Sequence, residues 1–224
     1  MKRNLFKIIG VLVLCILLAG CGEKINKDSP LYKAKENMVS NVDNYDLKMS
    51  VTMNTGAGDV SISGDCKEDR KNETSYCKTT TLGVGTETYT DYKNKKTYSR
   101  VSDDYGLVNS SWTATDIKDV STDQWLELND FIFDVKEEES DGLTKYSGTI
   151  DIKKIMGLLN RFDMPVDLGS FLSKDVAVEV YVNDKNYIDS MKVDLEVLGI
   201  SMDVKLEYSN YNSAGNVVIP DNVK

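Results

Sequence analysis

From Tyr45 the chain alternates with a period of two. Leu47, Met49, Val51 and Met53 stand between Asp46, Lys48, Ser50 and Thr52, the pattern of a strand with one buried and one wet face. Thr55-Gly56-Ala57-Gly58 is turn material. Pairing across it sets Met53 opposite Val60, Val51 opposite Ile62 and Leu47 opposite Cys66, so both apolar sets share one face. The C-terminal third repeats the pattern. Val176, Val178, Val180 and Val182 alternate; after Asn183 to Asn186 so do Tyr187, Met191, Val193, Leu195 and Val197, and after Leu198-Gly199 so do Ile200, Met202, Val204, Leu206 and Tyr208. The parity switches at each turn, as even-numbered hairpin loops require, which opposes Leu195 to Met202 and Val193 to Val204. Glu179, Lys192, Asp194, Glu196, Asp203, Lys205 and Glu207 form the polar face, with Asp189 the one exception on the apolar side.

Two segments switch to helical spacing. Ser29-Pro30 suits an N-cap followed by proline in the first turn, and Leu31, Ala34, Met38 and Val42 make one stripe, which predicts a helix from about Pro30 to Val42. Asp151 suits the cap of a second helix, in which Ile152, Ile155, Met156, Leu158, Leu159 and Phe162 make a wide apolar stripe. Between these lie short strands over 82–111, an irregular stretch over 111–130 anchored by Trp112 and Trp125, and two strands, Phe131 to Lys136 and Leu143 to Ile150, joined by the acidic turn Glu137 to Gly142. The whole predicts a mainly β (α+β) fold. About ten strands form a large curved antiparallel sheet, a half-open barrel whose concave face is covered by the N-terminal helix and one inserted helix.

The first residues belong to a different device. Lys2, Arg3 and Lys7 precede an apolar run from Ile8 to Leu18 that ends in Ala19-Gly20-Cys21, the order of a secretory signal peptide. The run is too short to span a bilayer, which takes roughly 17–25 apolar residues. Leu18-Ala19-Gly20-Cys21 resembles the bacterial lipobox. The resemblance implies a diacylglyceryl group on the Cys21 thiol, cleavage before that residue, and attachment to the outer side of the membrane by lipid rather than by helix. The expected division is residues 1–20 as signal peptide, 21–28 as a lipidated tether reaching about 25 Å at full extension, and 29–224 as a single half-barrel domain.

Charge and cysteines narrow the chemistry. The formal net charge of −9 becomes −12 when the three cations of residues 1–20 are removed, a field that repels phosphate backbones, so no nucleic-acid partner is expected. With Cys15 discarded and Cys21 lipidated, Cys66 and Cys77 are left, equally far from a turn centred on Lys71-Asn72. Opposed residues of a hairpin lie within disulfide range, and an exported chain favours the bond. Their separation is unlike a redox C-x-x-C pair. The chain has no histidine, which removes the commonest catalytic base and metal ligand together. Asn183-Asp184-Lys185-Asn186 lacks the ligand pattern of a calcium loop, and Asp103-Asp104 and Glu137-Glu138-Glu139 read as solvated charge runs. No metal, no cofactor and no enzymatic activity are expected.

The element order resembles the lipoprotein-carrier superfamily, the LolA/LolB-like carriers and the LppX/LprG-type lipid-binding lipoproteins, and also lipoproteins of low-GC Gram-positive bacteria. The residues that carry the resemblance are the lipobox ending in Cys21, the helix followed by Asn44-Tyr45-Asp46-Leu47, the segment Tyr146 to Asp151 entering a helix, and the closing hairpins with Val218-Ile219-Pro220. The resemblance implies an apolar concavity holding acyl chains and a cell membrane of Gram-positive type rather than an outer membrane. The lining residues expected are Met49, Val51, Met53, Ile155, Met156, Leu159, Val178, Val180, Met191, Val193, Leu195, Met202, Val204 and Leu206. Two readings of this face stand side by side. In one it encloses a lipid or other apolar ligand; in the other it is an ordinary packed core, and the lipoprotein is an interaction or sensor module for a protein partner of the cell envelope.

Overall fold

A computed structural model of the chain describes residues 27–54, 58–103, 110–117, 126, 129, 132–150, 176–197 and 200–223. Helix α1 (Pro30–Asn41) leads into eleven strands: β1 (Asn44–Asn54), β2 (Asp59–Asp69), β3 (Thr74–Thr81), β4 (Val84–Asp91), β5 (Lys96–Asp103), β6 (Thr113–Asp116), β7 (Ile132–Ser140), β8 (Leu143–Ile150), β9 (Val176–Val182), β10 (Ile188–Val197) and β11 (Ile200–Ser209). They form one antiparallel sheet in the order β6-β5-β4-β3-β2-β1-β11-β10-β9-β8-β7, open at both edges. From β1 at the middle the chain meanders out to one edge, crosses to the opposite edge at β7, and meanders back until β11 pairs with β1.

The expected registers are the observed ones. Met53 faces Val60, Val51 faces Ile62 and Leu47 faces Cys66; Leu195 faces Met202 and Val193 faces Val204. Cys66 faces Cys77 in the β2–β3 ladder, and the two are joined by a disulfide. Because the side-chain period is two, each of these pairings also decides which face is buried. Leu31, Ala34 and Met38 of α1 and Val42 after it are all buried, as their spacing requires. Pro30 occupies the first turn, but Ser29 caps by position only: its hydroxyl makes no capping bond.

Three local expectations are corrected. Glu137 to Glu139 belong to strand β7, paired with Tyr146, Lys145 and Thr144, and the turn is only Asp141-Gly142. The acids read as a turn because β7 is an edge strand whose charges face water, where they also keep other chains from adding to the edge. A short strand, β6, interrupts the stretch expected to be irregular, and its four residues are all exposed. Asp189 is not an inward charge in a regular strand. A register shift between Ile188 and Ser190 inserts it as an extra residue, so Ile188, not Tyr187, takes the buried position opposite Val182. The second helix, expected over 151–162, lies outside the described residues, as do Trp125 and residues 1–26.

The tail after β11 packs on the convex face, which sequence reading left without cover. The Val217 amide donates to Asp69 Oδ2 at 3.0 Å, the Thr74 hydroxyl donates to the Val217 carbonyl at 3.0 Å, and Lys67 Nζ donates to the Ala214 carbonyl. Ile219 and Val223 then bury themselves against Tyr98, with Tyr89 and Trp112 alongside.

The disulfide closes a loop of 12 residues from Cys66 to Cys77, for which chain entropy predicts a stabilisation of about 3 kcal/mol. Replacing both cysteines by alanine should lower the unfolding free energy by about that amount in a urea titration, with the fold retained.

Candidate functional site

The concave face is apolar over its central strands. Met49, Val51 and Met53 on β1, Val178 and Val180 on β9, Met191 and Val193 on β10, and Met202, Val204 and Leu206 on β11 all belong to one buried cluster, each at most 4% exposed. Tyr146 and Ile150 of β8, Val176 and Val182 of β9, and Ile62 and Cys66 of β2 extend it. Leu195 holds its expected place in the ladder opposite Met202. Ile155, Met156 and Leu159 fall outside the described residues. Gly64 faces Met49 across the β1–β2 ladder, and a Cβ there would lie 3.0 Å from the Met49 Cε. Glycine therefore leaves the room that the long thioether occupies, and methionine adapts to irregular contacts.

Toward the other edge the same face changes chemistry. In successive ladders Gly64 is followed by Thr79, Thr86 and Val101, and Cys66 by Cys77, Thr88, Ser99 and Thr113. The face is thus apolar on β1, β2 and β8 to β11, and lined mainly by hydroxyls on β3 to β6.

Helix α1 and a polar cluster close one end of the concavity. Asn37 Nδ2 donates to the carbonyls of Lys185 and Asn186 at 2.8 and 3.2 Å, tying the helix to the β9–β10 turn. Arg70 meets the C-terminal carbonyls of the helix: its Nη1 donates to Val39 O at 2.8 Å and to Met38 O, which also accepts from the Val42 amide, at 3.3 Å. A cation at that end also opposes the helix dipole. Beside it Glu68 is only 2% exposed, and the Tyr92 hydroxyl donates to its carboxylate at 3.2 Å. The Tyr45 and Tyr208 rings lie 5.6 Å apart and fully buried. Burial, and after it the charge of Glu68, holds both phenols well above the usual phenol range, so both stay neutral. Sequence reading missed this cluster. The spacing signal for it was the doubled Asp-x-x-Asn turn, Asp69 to Asn72 and Asp91 to Asn94, in which each aspartate accepts from the asparagine amide and side chain. These two turns place Arg70 and Tyr92.

Among the described residues, the concave face carries no nucleophile with an adjacent base. Among the described residues no group of three or more carboxylates or cysteines is arranged to hold a metal ion, and no helix is long and apolar enough to cross a membrane. What this arrangement does chemically is exclude water.

No family model and no curated protein matches the chain. Among solved structures, the fold is that of the lipoprotein LppX of Mycobacterium tuberculosis, with a TM-score of 0.53 and 14% sequence identity over 84% of this chain and 96% of that one. A LolA superfamily protein from Nitrosomonas europaea aligns over 89% of this chain and 97% of its own, at 11% identity and a looser TM-score of 0.35. The strand order itself gives the architecture expected from the resemblance, an open antiparallel sheet.

Val193 is 4% exposed on this face, whereas its neighbour Lys192 points to water. Val193→Asp places an unpaired charge in the apolar cluster and should cost at least about 3 kcal/mol of stability. Lys192→Gln should change it by less than about 0.5 kcal/mol, both measured by chemical denaturation.

Proposed function

We propose that the protein is a non-enzymatic envelope lipoprotein, held at the membrane by a diacylglyceryl group on Cys21, that binds a lipid or similar apolar molecule along the concave face of its sheet, carrying or presenting it. The observation that carries this reading is the continuous apolar surface from β2 through β1 and β11 to β8, shared by six strands. The fold shared with a lipoprotein of known structure supports it. Binding by such a face is burial without chemistry: each CH2 of an acyl chain taken out of water contributes about 0.8 kcal/mol, so a single long chain is enough for tight retention.

One observation favours a second reading. The near-zero exposure of Met191, Val180 and Leu206 is that of an ordinary core, which would make the protein an interaction module with its interior filled by its own side chains. Met202→Ala separates the two. In a filled core the substitution opens a void and costs about 2–5 kcal/mol. Beside a ligand space the wall has already given up those contacts, so the loss should be under about 1.5 kcal/mol, with uptake of a fluorescent fatty acid altered. Native mass spectrometry of the gently purified protein should show a co-purifying lipid mass. A clean protein mass, together with a large Met202→Ala loss, would overturn the carrier reading in favour of the module.

Anchoring is tested separately. Cys21→Ser should abolish incorporation of labelled fatty acid and release the protein from membranes, and undiminished labelling would exclude Cys21 as the lipidation site.

A further inference from the structure

The two edges of the sheet are finished differently. β7 carries Asp134, Lys136, Glu137, Glu138 and Glu139, all exposed, and it is bent by a register shift at which Asp134 has a φ of +53°. Charge and a bulge are the usual protections of a free edge. At the other edge β6 has no such guard. Its residues, Thr113-Ala114-Thr115-Asp116, are all exposed, keep a regular register with β5, and carry a single charge, which faces Lys96 in the ladder. Among the described residues no strand lies beyond it.

The ladder with β5 fixes which backbone groups of β6 are free. The Ile117 amide donates to the Lys95 carbonyl at 2.9 Å, so these two residues are a hydrogen-bonded pair. Such pairs recur at every second residue of an antiparallel ladder. Thr115 opposite Thr97 and Thr113 opposite Ser99 are therefore bonded to β5, whereas the N–H and C=O of Ala114 and Asp116 point away from the sheet. Ala114 lies opposite Tyr98 on the convex side, and Thr113 and Thr115 lie on the concave side.

We propose that β6 is the docking edge for a second copy of this chain, paired antiparallel about a two-fold axis through Ala114. The occupant follows from register. With Ala114 facing its own equivalent, the two alanines exchange two backbone hydrogen bonds, and Asp116 of each copy meets Trp112 of the other. Every opposed pair then lies on one face, as the pleat requires. Thr113 falls opposite Thr115, a cross-strand pair that stabilises a sheet, and no two like charges are opposed. The net charge of −9 disfavours self-association in general, but at this edge Lys93, Lys95, Lys96 and Arg100 stand beside the one Asp116. The small Ala114 leaves room beside it for the half-buried Trp112 ring, which already lies against Arg100 at 4.8 Å and Tyr89 at 5.6 Å. Tryptophan, tyrosine and arginine are the residues that most often anchor an interface. Joined in this way, the hydroxyl-lined halves of the two concave faces become neighbours in one trough with an apolar wall at each end. The pairing needs neither the lipid on Cys21 nor a ligand.

The test uses the full lipidated protein in detergent. With Cys21 lipidated and Cys66 bonded to Cys77, a single introduced cysteine is the one free thiol. Ala114→Cys sets two thiols across the axis at a Cα separation of about 5.5 Å, within disulfide range, so mild oxidation should link most chains in pairs. Thr113→Cys and Thr115→Cys should stay unlinked when alone and link to each other when mixed. No linkage at 114, or equal linkage at all three positions, would overturn the proposal. Ala114→Pro supplies an arm free of thiols. The N–H it removes points away from β5, where an edge strand tolerates proline. The Tm should hold while dimerisation, followed by sedimentation, weakens about tenfold or more, as the loss of two hydrogen bonds implies; undiminished dimerisation would count against the pairing. If Ala114→Pro does not fold, Ala114→Lys opposes two ammonium groups on the axis, and its dimer should form only at high salt. Unmodified protein that sediments as a monomer at every concentration, or that carries an extended peptide of another protein on this edge, would equally overturn the proposal.

Discussion

The ladder between β1 and β11, from Asp46 opposite Ser209 to Asn54 opposite Ser201, is the contact on which the rest of the molecule depends. It joins strands from the two ends of the domain. Without it the sheet is two separate meanders, β1 to β6 and β7 to β11, each with an apolar face too narrow to cover itself. With it, Leu47, Met49, Val51 and Met53 line up with Tyr208, Leu206, Val204 and Met202, and a continuous water-free surface appears. The entropy of closing so long a loop grows only slowly with its length. What this ladder gains is therefore set by the two half-faces it brings together, and the helix and the polar cluster at one end can be placed only once it exists.

The end cluster shows how a charged group is tolerated beside that surface. Arg70 holds the helix carbonyls of Met38 and Val39, and Glu68 accepts from Tyr92. Buried charge is costly unless it is hydrogen-bonded, and here the bonds tie three separate pieces of chain together: the helix, the β2–β3 turn and the β4–β5 turn. On the convex side the tail plays a comparable part, since the Val217 amide and carbonyl are both engaged by residues at the ends of β2 and β3. The outward row is less well matched. Asp194 faces Asp203 directly, and partial burial and then the neighbouring carboxylate raise the Asp194 carboxyl above its usual range.

Strand alternation made much of this legible in the sequence. Where side chains alternate strictly, as in Val176 to Val182 or Leu47 to Met53, the period of two decides both register and face, and the Cys66–Cys77 pairing follows by counting outward from the turn. The helix stripe of Leu31, Ala34 and Met38 was legible for the same reason at a different period. Legibility ended where one face is not apolar. In β3 to β6 threonine and serine stand on the concave side and tyrosine on the convex side, so hydropathy does not alternate and boundaries blur. In β7 the edge position invites charge, and Glu137 to Glu139 looked like a turn. At Asp189 one extra residue shifted the parity, which appeared in the sequence as a misplaced acid. The contacts of Arg70, Glu68 and the C-terminal tail join residues far apart in the chain, and nothing in local periodicity encodes them. Of the candidate lining, the strand residues other than Leu195 belong to one buried cluster, whereas the helical trio Ile155, Met156 and Leu159 lies outside the described residues.

The central position of β1 has a consequence for biogenesis. A polypeptide is made from its N-terminus, so β1 to β6 are complete while β11 has still to be synthesised. Through that interval the outer edge of β1, with Met49, Val51 and Met53 along it, is an unpaired strand with an apolar face, the kind of edge that templates association between nascent chains. The β2–β3 hairpin is local and its disulfide can form early, but it protects the other side of β1. Pairing with β11 is what removes this edge, so variants that slow the emergence of residues 200–209 should aggregate even when the finished protein is stable.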